Sequence, residues 1–205
     1  MIRATAPVIG ILALQGGYFE HIESFQRIGV AGRQVRSPKD LDGLDGLVLP
    51  GGESTAIGLL AESSGMTIPL RSWREAGRPI WGTCAGMIML ADRVLGQKEG
   101  GQTLIGGLDV TVSRNHFGGQ LHSFESAIYS PLLDSGSAPG LFIRAPAIVD
   151  VGEQAESVAT LADGTCIGVR QGALLATAFH PELTVDDSWQ KIFLDMVLGS
   201  GSLGE

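Results

Sequence analysis

The chain has 205 residues, of which 44% are hydrophobic and 18% charged, and its formal net charge at pH 7 is -8. This length and composition predict one globular domain with a substantial core, and no apolar window of about 18 residues is present to form a membrane-spanning helix. The acidic balance argues against nucleic acid and anionic membranes as partners, and the two cysteines are too few for a disulfide framework.

Residues 1–7 lead directly into an apolar run and show no signal-peptide pattern. The two cysteines, Cys84 and Cys166, have no metal-ligand spacing, and their small number is typical of a reducing compartment. We therefore expect a cytoplasmic protein that has no metal site. Residues 1–198 are predicted to form one domain, and the Gly- and Ser-rich residues 199–205 are predicted to form a flexible tail.

The first predicted strand is the uninterrupted apolar run of residues 8–14, which ends in a Gln-Gly-Gly turn. Such a run is typical of a parallel strand that is buried on both faces. Apolar residues then recur at helical spacing over residues 18–28 and predict a helix that packs on this strand. His21 lies on this helix between two glutamates, and we interpret it as a satisfied surface or cap histidine, with catalysis as the less favoured alternative.

A short strand near Val35 is followed by a third strand, residues 47–49, which ends in the Pro-Gly-Gly-Glu-Ser-Thr segment of residues 50–55. The N–H groups of Gly51 and Gly52 are expected to face outward at the carboxyl end of this strand. Ligands of open α/β sheets bind at that edge. Two interpretations are open for this segment: half of an oxyanion hole, or an ordinary turn from a strand into a helix.

A predicted helix over residues 68–76 precedes a short apolar strand near Ile80 and the segment Gly-Thr-Cys-Ala-Gly of residues 82–86. This segment has the spacing of a nucleophile elbow, Gly-x-Ser-x-Gly, with sulfur in place of oxygen. The dipole and the free N–H groups of the following helix N-terminus favour the thiolate form of Cys84. Cys84 is thus a candidate nucleophile, and the alternative is a small buried hydrophobic residue.

Strands that alternate with helices up to Ala91 predict an α/β fold, with a doubly wound, mostly parallel sheet and helices on both faces. After Leu95, glycine pairs separate short alternating segments such as residues 108–112, which predict added antiparallel strands. A further short strand covers residues 141–146. A meander of three strands is predicted over residues 158–161, 166–170 and 173–179. Cys166 falls inside this meander, where burial explains its presence.

His180, Pro181 and Glu182 follow the last strand of the meander. Residues two apart in an extended segment point to the same side, and proline favours an extended conformation for the residue before it. The Glu182 carboxylate can then hold one nitrogen of His180 while the other nitrogen faces a nucleophile, as in a catalytic triad. The alternative is a surface turn, but the elbow at Cys84 favours catalysis. A last helix is predicted over residues 188–198.

The elbow of residues 82–86, the loop of residues 50–54 and the His-Pro-Glu segment of residues 180–182 resemble the triad-type (class I) glutamine amidotransferases. More narrowly, further blocks are similar to the glutaminase subunit of pyridoxal 5'-phosphate synthase: residues 13–16, 51–55, 113–118, 123–125, 142–146 and 169–172. The likeness extends over about residues 8–198. The Arg-Asn-x-Phe-Gly and Phe-Ile-Arg-Ala-Pro blocks are specific to that subfamily.

The resemblance implies a flavodoxin-like fold and a glutaminase with a Cys-His-Glu triad. Cys84 attacks the side-chain amide of L-glutamine, and a γ-glutamyl thioester forms before water releases glutamate. His180 accepts the thiol proton and later protonates the departing ammonia, while Glu182 orients His180. The implied oxyanion hole consists of backbone N–H groups of Gly51, Gly52 and Ala85.

Glutamine is bound, by the same resemblance, by Gly51, Gly52, Glu53, Arg114, Ile143 and Arg144. Chemically, the guanidinium of Arg114 suits the α-carboxylate of the substrate, and Glu53 suits its α-ammonium group. Gln15 and Gly16 match a loop that contacts a partner in the family and rearranges to complete the site. Activity of the isolated chain is therefore expected to be weak.

The implied partner is a barrel-fold synthase subunit, which uses the ammonia to build pyridoxal 5'-phosphate from a pentose phosphate and a triose phosphate. The expected assembly is thus a hetero-oligomer with hydrolase and lyase activities in vitamin B6 biosynthesis, and the chain itself needs no cofactor. It also has no Walker-type phosphate loop, which agrees with that division of labour.

The chain departs from the family pattern at Gly119, where an arginine is usual, and at residues 186–191, which lack the usual arginine and histidine. Both departures concern the partner interface. His116 and His122 occupy variable positions, and we expect them to be exposed or to support the site indirectly. Three alternatives remain: a glutaminase for another ammonia acceptor such as the imidazole glycerol phosphate pathway, a γ-glutamyl hydrolase, or a regulatory binding module without catalysis.

Overall fold

A nine-stranded mixed sheet forms the centre of the computed structural model, which describes residues 6–96, 101–114 and 123–200. Five strands form its parallel half, in the spatial order β2 (Ala31–Val35), β1 (Val8–Leu12), β3 (Gly46–Leu49), β4 (Ile80–Thr83) and β12 (Leu174–Thr177). Each neighbouring pair in this half is parallel. This order is that of flavodoxin-like doubly wound sheets, and it confirms the predicted fold class.

Helices cover both faces of the sheet, as predicted. They are α1 (Tyr18–Arg27), α2 (Ser54–Ser63), α3 (Thr67–Glu75), α4 (Ala85–Leu90) and α5 (Ser188–Ser200). Trp81 in β4 packs against His21 of α1 and Phe193 of α5, with ring centroids 5.9 and 5.7 Å away. Its neighbour Gly82 faces the opposite side, where a Cβ atom would lie 2.5 Å from the backbone of Gly86 in α4. α1 and α5 therefore cover one face, and α4 covers the other.

The sheet continues beyond β12 with four strands: β11 (Cys166–Gln171), β10 (Glu156–Thr160), β7 (Ser123–Tyr129) and β8 (Ser137–Ile143). All the pairings in this half are antiparallel. The predicted meander of β10, β11 and β12 is confirmed. Cys166 lies in a strand, as predicted, but it is only half-buried.

A separate three-stranded sheet consists of β5 (Ala91–Leu95), β6 (Leu108–Ser113) and β9 (Ala147–Val151). β6 pairs with β9 in the antiparallel sense, as expected after Leu95, but it pairs with β5 in the parallel sense. A connection of about a dozen residues separates β5 from β6, which is long enough for a parallel crossover.

Several predicted features reach the limits of the described ranges. α5 ends at Ser200 and so includes the first residues of the predicted tail, while residues 201–205 lie outside the described ranges. The departures and variable positions noted at Gly119, His116 and His122 also lie outside them. No helix in the described part of the chain is both long and apolar enough to span a membrane.

Candidate active site

Cys84 lies in a strained turn between β4 and α4. Its φ of 49° falls in the left-handed region, which costs a residue other than glycine about 1–3 kcal/mol. The Cys84 N–H donates a hydrogen bond of 2.8 Å to the carbonyl of Thr177 in β12. A Cβ atom on Gly82 would lie 2.5 Å from the carbonyl carbon of Gly86, and one on Gly86 would overlap the carbonyl oxygen of Leu49. The two glycines therefore allow the close approach of strand and helix that an elbow requires.

His180 follows β12 and forms a buried pair with Glu182. Its N–H donates to the carbonyl of Leu141 at 2.8 Å, and its Nδ1 lies 2.8 Å from Oε1 of Glu182. The prediction that residues 180–182 are extended is wrong, because Pro181–Leu183 forms a 3₁₀ turn. Proline has the φ of the first residue of a helical turn. The turn folds the carboxylate back onto the imidazole, so the two side chains meet for a different reason than predicted.

The carboxyl ends of β4 and β12 bring Cys84 and His180 to one place. The two strands are parallel neighbours, with Thr83 opposite Thr177. A Cβ atom on Gly51 would lie 2.5 Å from Cε1 of His180 and 3.4 Å from Cβ of Cys84, so the three residues meet at one point. Among the described residues, Nε2 of His180 is buried without a hydrogen-bond partner. This nitrogen is left for the sulfur of Cys84, with which His180 interacts electrostatically.

Both members of the His180–Glu182 pair are charged at neutral pH. Burial lowers the pKa of His180, but its interactions with Cys84 and Glu182 outweigh burial and raise it to about 10. Burial likewise raises the pKa of Glu182, but the neighbouring imidazoles of His21 and His180 outweigh it and lower this pKa. His180 is therefore an imidazolium beside the sulfur of Cys84.

His21 is buried in the site, so its interpretation as a surface or cap histidine is wrong. Its exposed fraction is 0%, and its Nε2 lies 3.0 Å from Oγ1 of Thr83 and 3.4 Å from Oε2 of Glu182. Burial lowers the pKa of His21 more than Glu182 raises it, so the imidazole is neutral at neutral pH. One signal was present in the sequence: His21 lies one helical turn before Phe25, which is also fully buried.

The loop before α1 packs on the loop after β3. The N–H of Gly17 donates to the carbonyl of Gly51 at 3.0 Å, and the N–H of Glu53 donates to Oε1 of Gln15 at 2.7 Å. A Cβ atom on Gly16 would overlap the carbonyl oxygen of Gly51. The structure thus brings the predicted partner-contact residues directly against the predicted oxyanion loop. Ala85, the third predicted donor, is the first residue of α4, where backbone N–H groups lack intrahelical partners.

Of the predicted glutamine-binding residues, Gly51 and Ile143 lie next to Cys84. Arg114 Nη2 and Glu53 Oε1 form an ion pair of 2.6 Å, and Oε2 of Glu53 also accepts from the N–H of Ala56 at the start of α2. The carbonyl oxygen of Ile143 lies 3.8 Å from the sulfur of Cys84. Arg144, the next residue, has a φ of 47°, a second strained position at the site.

The arrangement combines a cysteine sulfur, an imidazolium, an orienting carboxylate and backbone N–H donors. Such a set suits acyl transfer from an amide through a covalent thioester. In the described ranges, no group of three or more His, Cys, Asp or Glu side chains is placed to hold a metal ion.

Two curated relatives are similar to almost the whole chain. A protein of Clavibacter michiganensis, called pyridoxal 5'-phosphate synthase subunit PdxT, is 49% identical over 195 residues, which cover 95% of this chain and 93% of that protein. A protein of Arabidopsis thaliana, called probable pyridoxal 5'-phosphate synthase subunit PDX2, is 44% identical over 216 residues, which cover 92% of this chain and 85% of that protein.

Solved structures give the same result for the fold. A structure described as a glutamine amidotransferase has a TM-score of 0.85 and 43% identity, and the match covers 92% of this chain and 98% of that one. PurLQS from Thermotoga maritima has a TM-score of 0.71 at 15% identity, which shows a shared fold alone. Residues 11–198 match the model of the SNO glutamine amidotransferase family. The resemblance drawn from the motifs is therefore confirmed, and the chain belongs to the SNO glutamine amidotransferase family.

Proposed function

We propose that this chain hydrolyses L-glutamine to L-glutamate and ammonia through a thioester on Cys84, and that the ammonia serves a pyridoxal 5'-phosphate synthase subunit. The observation that carries the proposal is the buried His180–Glu182 pair, joined at 2.8 Å, beside a cysteine in a strained elbow. The family membership and the names of the relatives, which are synthase subunits, support the same reaction.

Each residue has a defined role in the proposed mechanism. The sulfur of Cys84 attacks the amide carbon, and the oxyanion that forms is stabilised by N–H groups of Gly51, Gly52 and Ala85, at about 3 kcal/mol per donor. His180 gives its Nε2 proton to the leaving nitrogen, and ammonia departs. A water molecule then gives a proton to the same nitrogen and attacks the thioester, which releases glutamate. Glu182 keeps Nδ1 of His180 protonated and correctly directed throughout.

We assign substrate recognition to the charged pair of Arg114 and Glu53. Free glutamine carries an α-carboxylate and an α-ammonium group next to each other. The ion pair, with its 2.6 Å separation, presents the complementary charges in the same close arrangement. The guanidinium can bind the α-carboxylate with two hydrogen bonds, and the carboxylate can accept from the α-ammonium. Ile143 and Arg144 would border the side-chain amide, because the carbonyl of Ile143 lies beside the Cys84 sulfur.

We also propose the partner as a barrel-fold synthase subunit that contacts Gln15 and Gly16. The hydrogen bond from Gly17 to Gly51 supports this idea, because a partner that moved the loop before α1 would also move the oxyanion loop to which it is bonded. Asp187, in the segment that departs from the family pattern, is bonded to Arg27 of α1 at 2.6 Å.

The two free cysteines, Cys84 and Cys166, support a cytoplasmic location.

The proposal is tested by glutamate release from L-glutamine, with and without the synthase subunit of the same organism. We expect turnover that rises when the subunit is added, its loss in Cys84→Ala, and its retention in the control Cys166→Ala. Equal turnover in the native chain and in Cys84→Ala would refute the nucleophile. Turnover that is indifferent to the subunit would favour another ammonia acceptor.

A further inference from the structure

One nitrogen of His21 touches two parts of the active site at once. Nε2 lies 3.0 Å from Oγ1 of Thr83, the residue before Cys84, and 3.4 Å from Oε2 of Glu182. The two oxygens of Glu182 are thus divided: Oε1 takes the Nδ1 proton of His180, and Oε2 faces His21. Among these contacts His21 is the only side chain from α1. It therefore connects α1 to β4 and to the His180–Glu182 pair.

The contacts identify the tautomer of His21. If the proton were on Nδ1, the Nε2 lone pair would face the Glu182 carboxylate and repel it, and the Nδ1 proton would be a buried donor without an acceptor, since Nδ1 has no hydrogen-bond partner in the described structure. A doubly protonated ring would leave the same buried donor. The neutral ring with its proton on Nε2 avoids both costs, because Nε2–H can donate to Oγ1 of Thr83 at 3.0 Å while its positive edge faces Oε2 of Glu182 at 3.4 Å. The downward shift of the His21 pKa agrees with a neutral ring.

We propose that His21 is a positioning residue for the proposed glutaminase reaction. Its Nε2–H faces Oε2 of Glu182 so that Oε1 stays directed at His180, and its bond to Thr83 connects the carboxylate to the strand that leads to Cys84. This inference rests on the proposed function, because a positioning role needs a reaction to serve. His21 itself touches none of the reacting atoms.

The surroundings of His21 hold its ring in place. The ring of Trp81 packs against it edge to face at 5.9 Å, and the hydroxyl of Ser24 donates to its backbone carbonyl at 2.9 Å. The side chain of Glu182 is 1% exposed, so water cannot replace the donor that His21 supplies. Oε2 has no hydrogen-bond partner in the described structure, so the 3.4 Å contact with Nε2 of His21 is what faces its charge. Without that N–H, the carboxylate would turn away from His180 or take up a proton.

Two substitutions separate this role from a purely structural one. His21→Leu fills the space but removes the donor, and we expect kcat for glutamine to fall roughly tenfold to a hundredfold with little change in KM, a part of what a positioned base contributes. His21→Gln places an amide N–H near the Nε2 position and should recover most of kcat. Gln26→Ala, on the exposed face of the same helix, is the control and should keep the native kcat.

The native chain provides a second test that does not depend on activity. Two-bond ¹H–¹⁵N spectra of the imidazoles report the tautomer, and the His21 signals are those missing in His21→Leu or His21→Gln. We expect a neutral ring protonated on Nε2 at pH 7. A ring protonated on Nδ1, or an imidazolium, would overturn the proposal, as would native kcat in a folded His21→Leu or a kcat in His21→Gln as low as in His21→Leu. If the native chain released no glutamate, the proposed function would fail. The NMR measurement of the His21 tautomer would still test the proposed contacts of His21 with Glu182 and Thr83.

Discussion

Glu182 places Oε1 at 2.8 Å from Nδ1 of His180, and the side chain of Glu182 is 1% exposed. A carboxylate in this position fixes both the tautomer and the direction of the imidazole. A 3₁₀ turn at Pro181–Leu183 brings the two side chains together. Among the described residues, Glu182 alone accepts a hydrogen bond from Nδ1 of His180. The first prediction follows from this contact.

Glu182→Gln should reduce kcat for glutamine hydrolysis roughly 10³- to 10⁴-fold with little effect on KM, because the amide stabilises the wrong tautomer and carries no charge to balance the imidazolium. Steady-state kinetics with the synthase subunit present measure both constants. Glu23→Gln, on the exposed face of α1, should behave like the native chain. A Glu182→Gln chain with native kcat would remove Glu182 from the mechanism.

His180 should titrate near its raised pKa of about 10 in the native chain, and at a lower pH in Cys84→Ala. The reason is that the interaction with the sulfur of Cys84 raises this pKa, and alanine cannot supply that interaction. The measurement is an NMR titration of the imidazole signals. Cys166→Ala should leave the His180 midpoint where it is. Equal midpoints in the native chain and Cys84→Ala would show that the sulfur does not interact with the imidazole.

Gly16→Ala should abolish most glutaminase activity, because the new Cβ atom would overlap the carbonyl oxygen of Gly51 and displace the proposed oxyanion loop. Gly77→Ala is a matched control: Gly77 also has a positive φ, of 68°, but nothing lies within 4 Å of an added Cβ atom. Both variants should lose about 1–2 kcal/mol of stability from backbone strain. Activity assays and thermal unfolding together distinguish the overlap from the strain, and parallel losses of activity would contradict this account.

Arg114→Lys should raise KM for glutamine about tenfold with a smaller effect on kcat, because a lysine keeps the charge but loses the two-bond geometry toward a carboxylate. Its pair with Glu53 would also become weaker. Arg93→Lys serves as the control, since Arg93 is bonded to Asp109 in the second sheet at 2.8 Å. Unchanged KM in Arg114→Lys would mean that another group binds the α-carboxylate.

Cys84→Gly should be more stable than Cys84→Ala by about 1 kcal/mol, although both lack the sulfur. The position has a φ of 49°, which glycine adopts freely and alanine does not. Thermal or urea unfolding of the two inactive variants measures the difference. A more stable Cys84→Ala would show that the elbow is not strained.

Local patterns in the sequence were sufficient to predict most of the architecture. Uninterrupted apolar runs predicted the buried parallel strands, and helical spacing predicted the helices between them, because each of these patterns is set by neighbours within a few residues. The elbow around Cys84 could be predicted for the same reason, since its glycines relieve a local crowding of strand and helix. The parallel pairing of β5 with β6 was missed, because strand direction depends on a connection and not on the strands themselves.

The sequence by itself thus determined the class of fold, the order of the strands and helices in its parallel half, and the residue types at the carboxyl edge of the sheet. Only the tertiary structure decided which atoms meet there. The burial of His21 against Glu182 and the pairing of Arg114 with Glu53 join segments that are far apart in the chain. Their geometry depends on how helices and loops pack over the finished sheet, and no periodicity or local spacing along the chain encodes those distances.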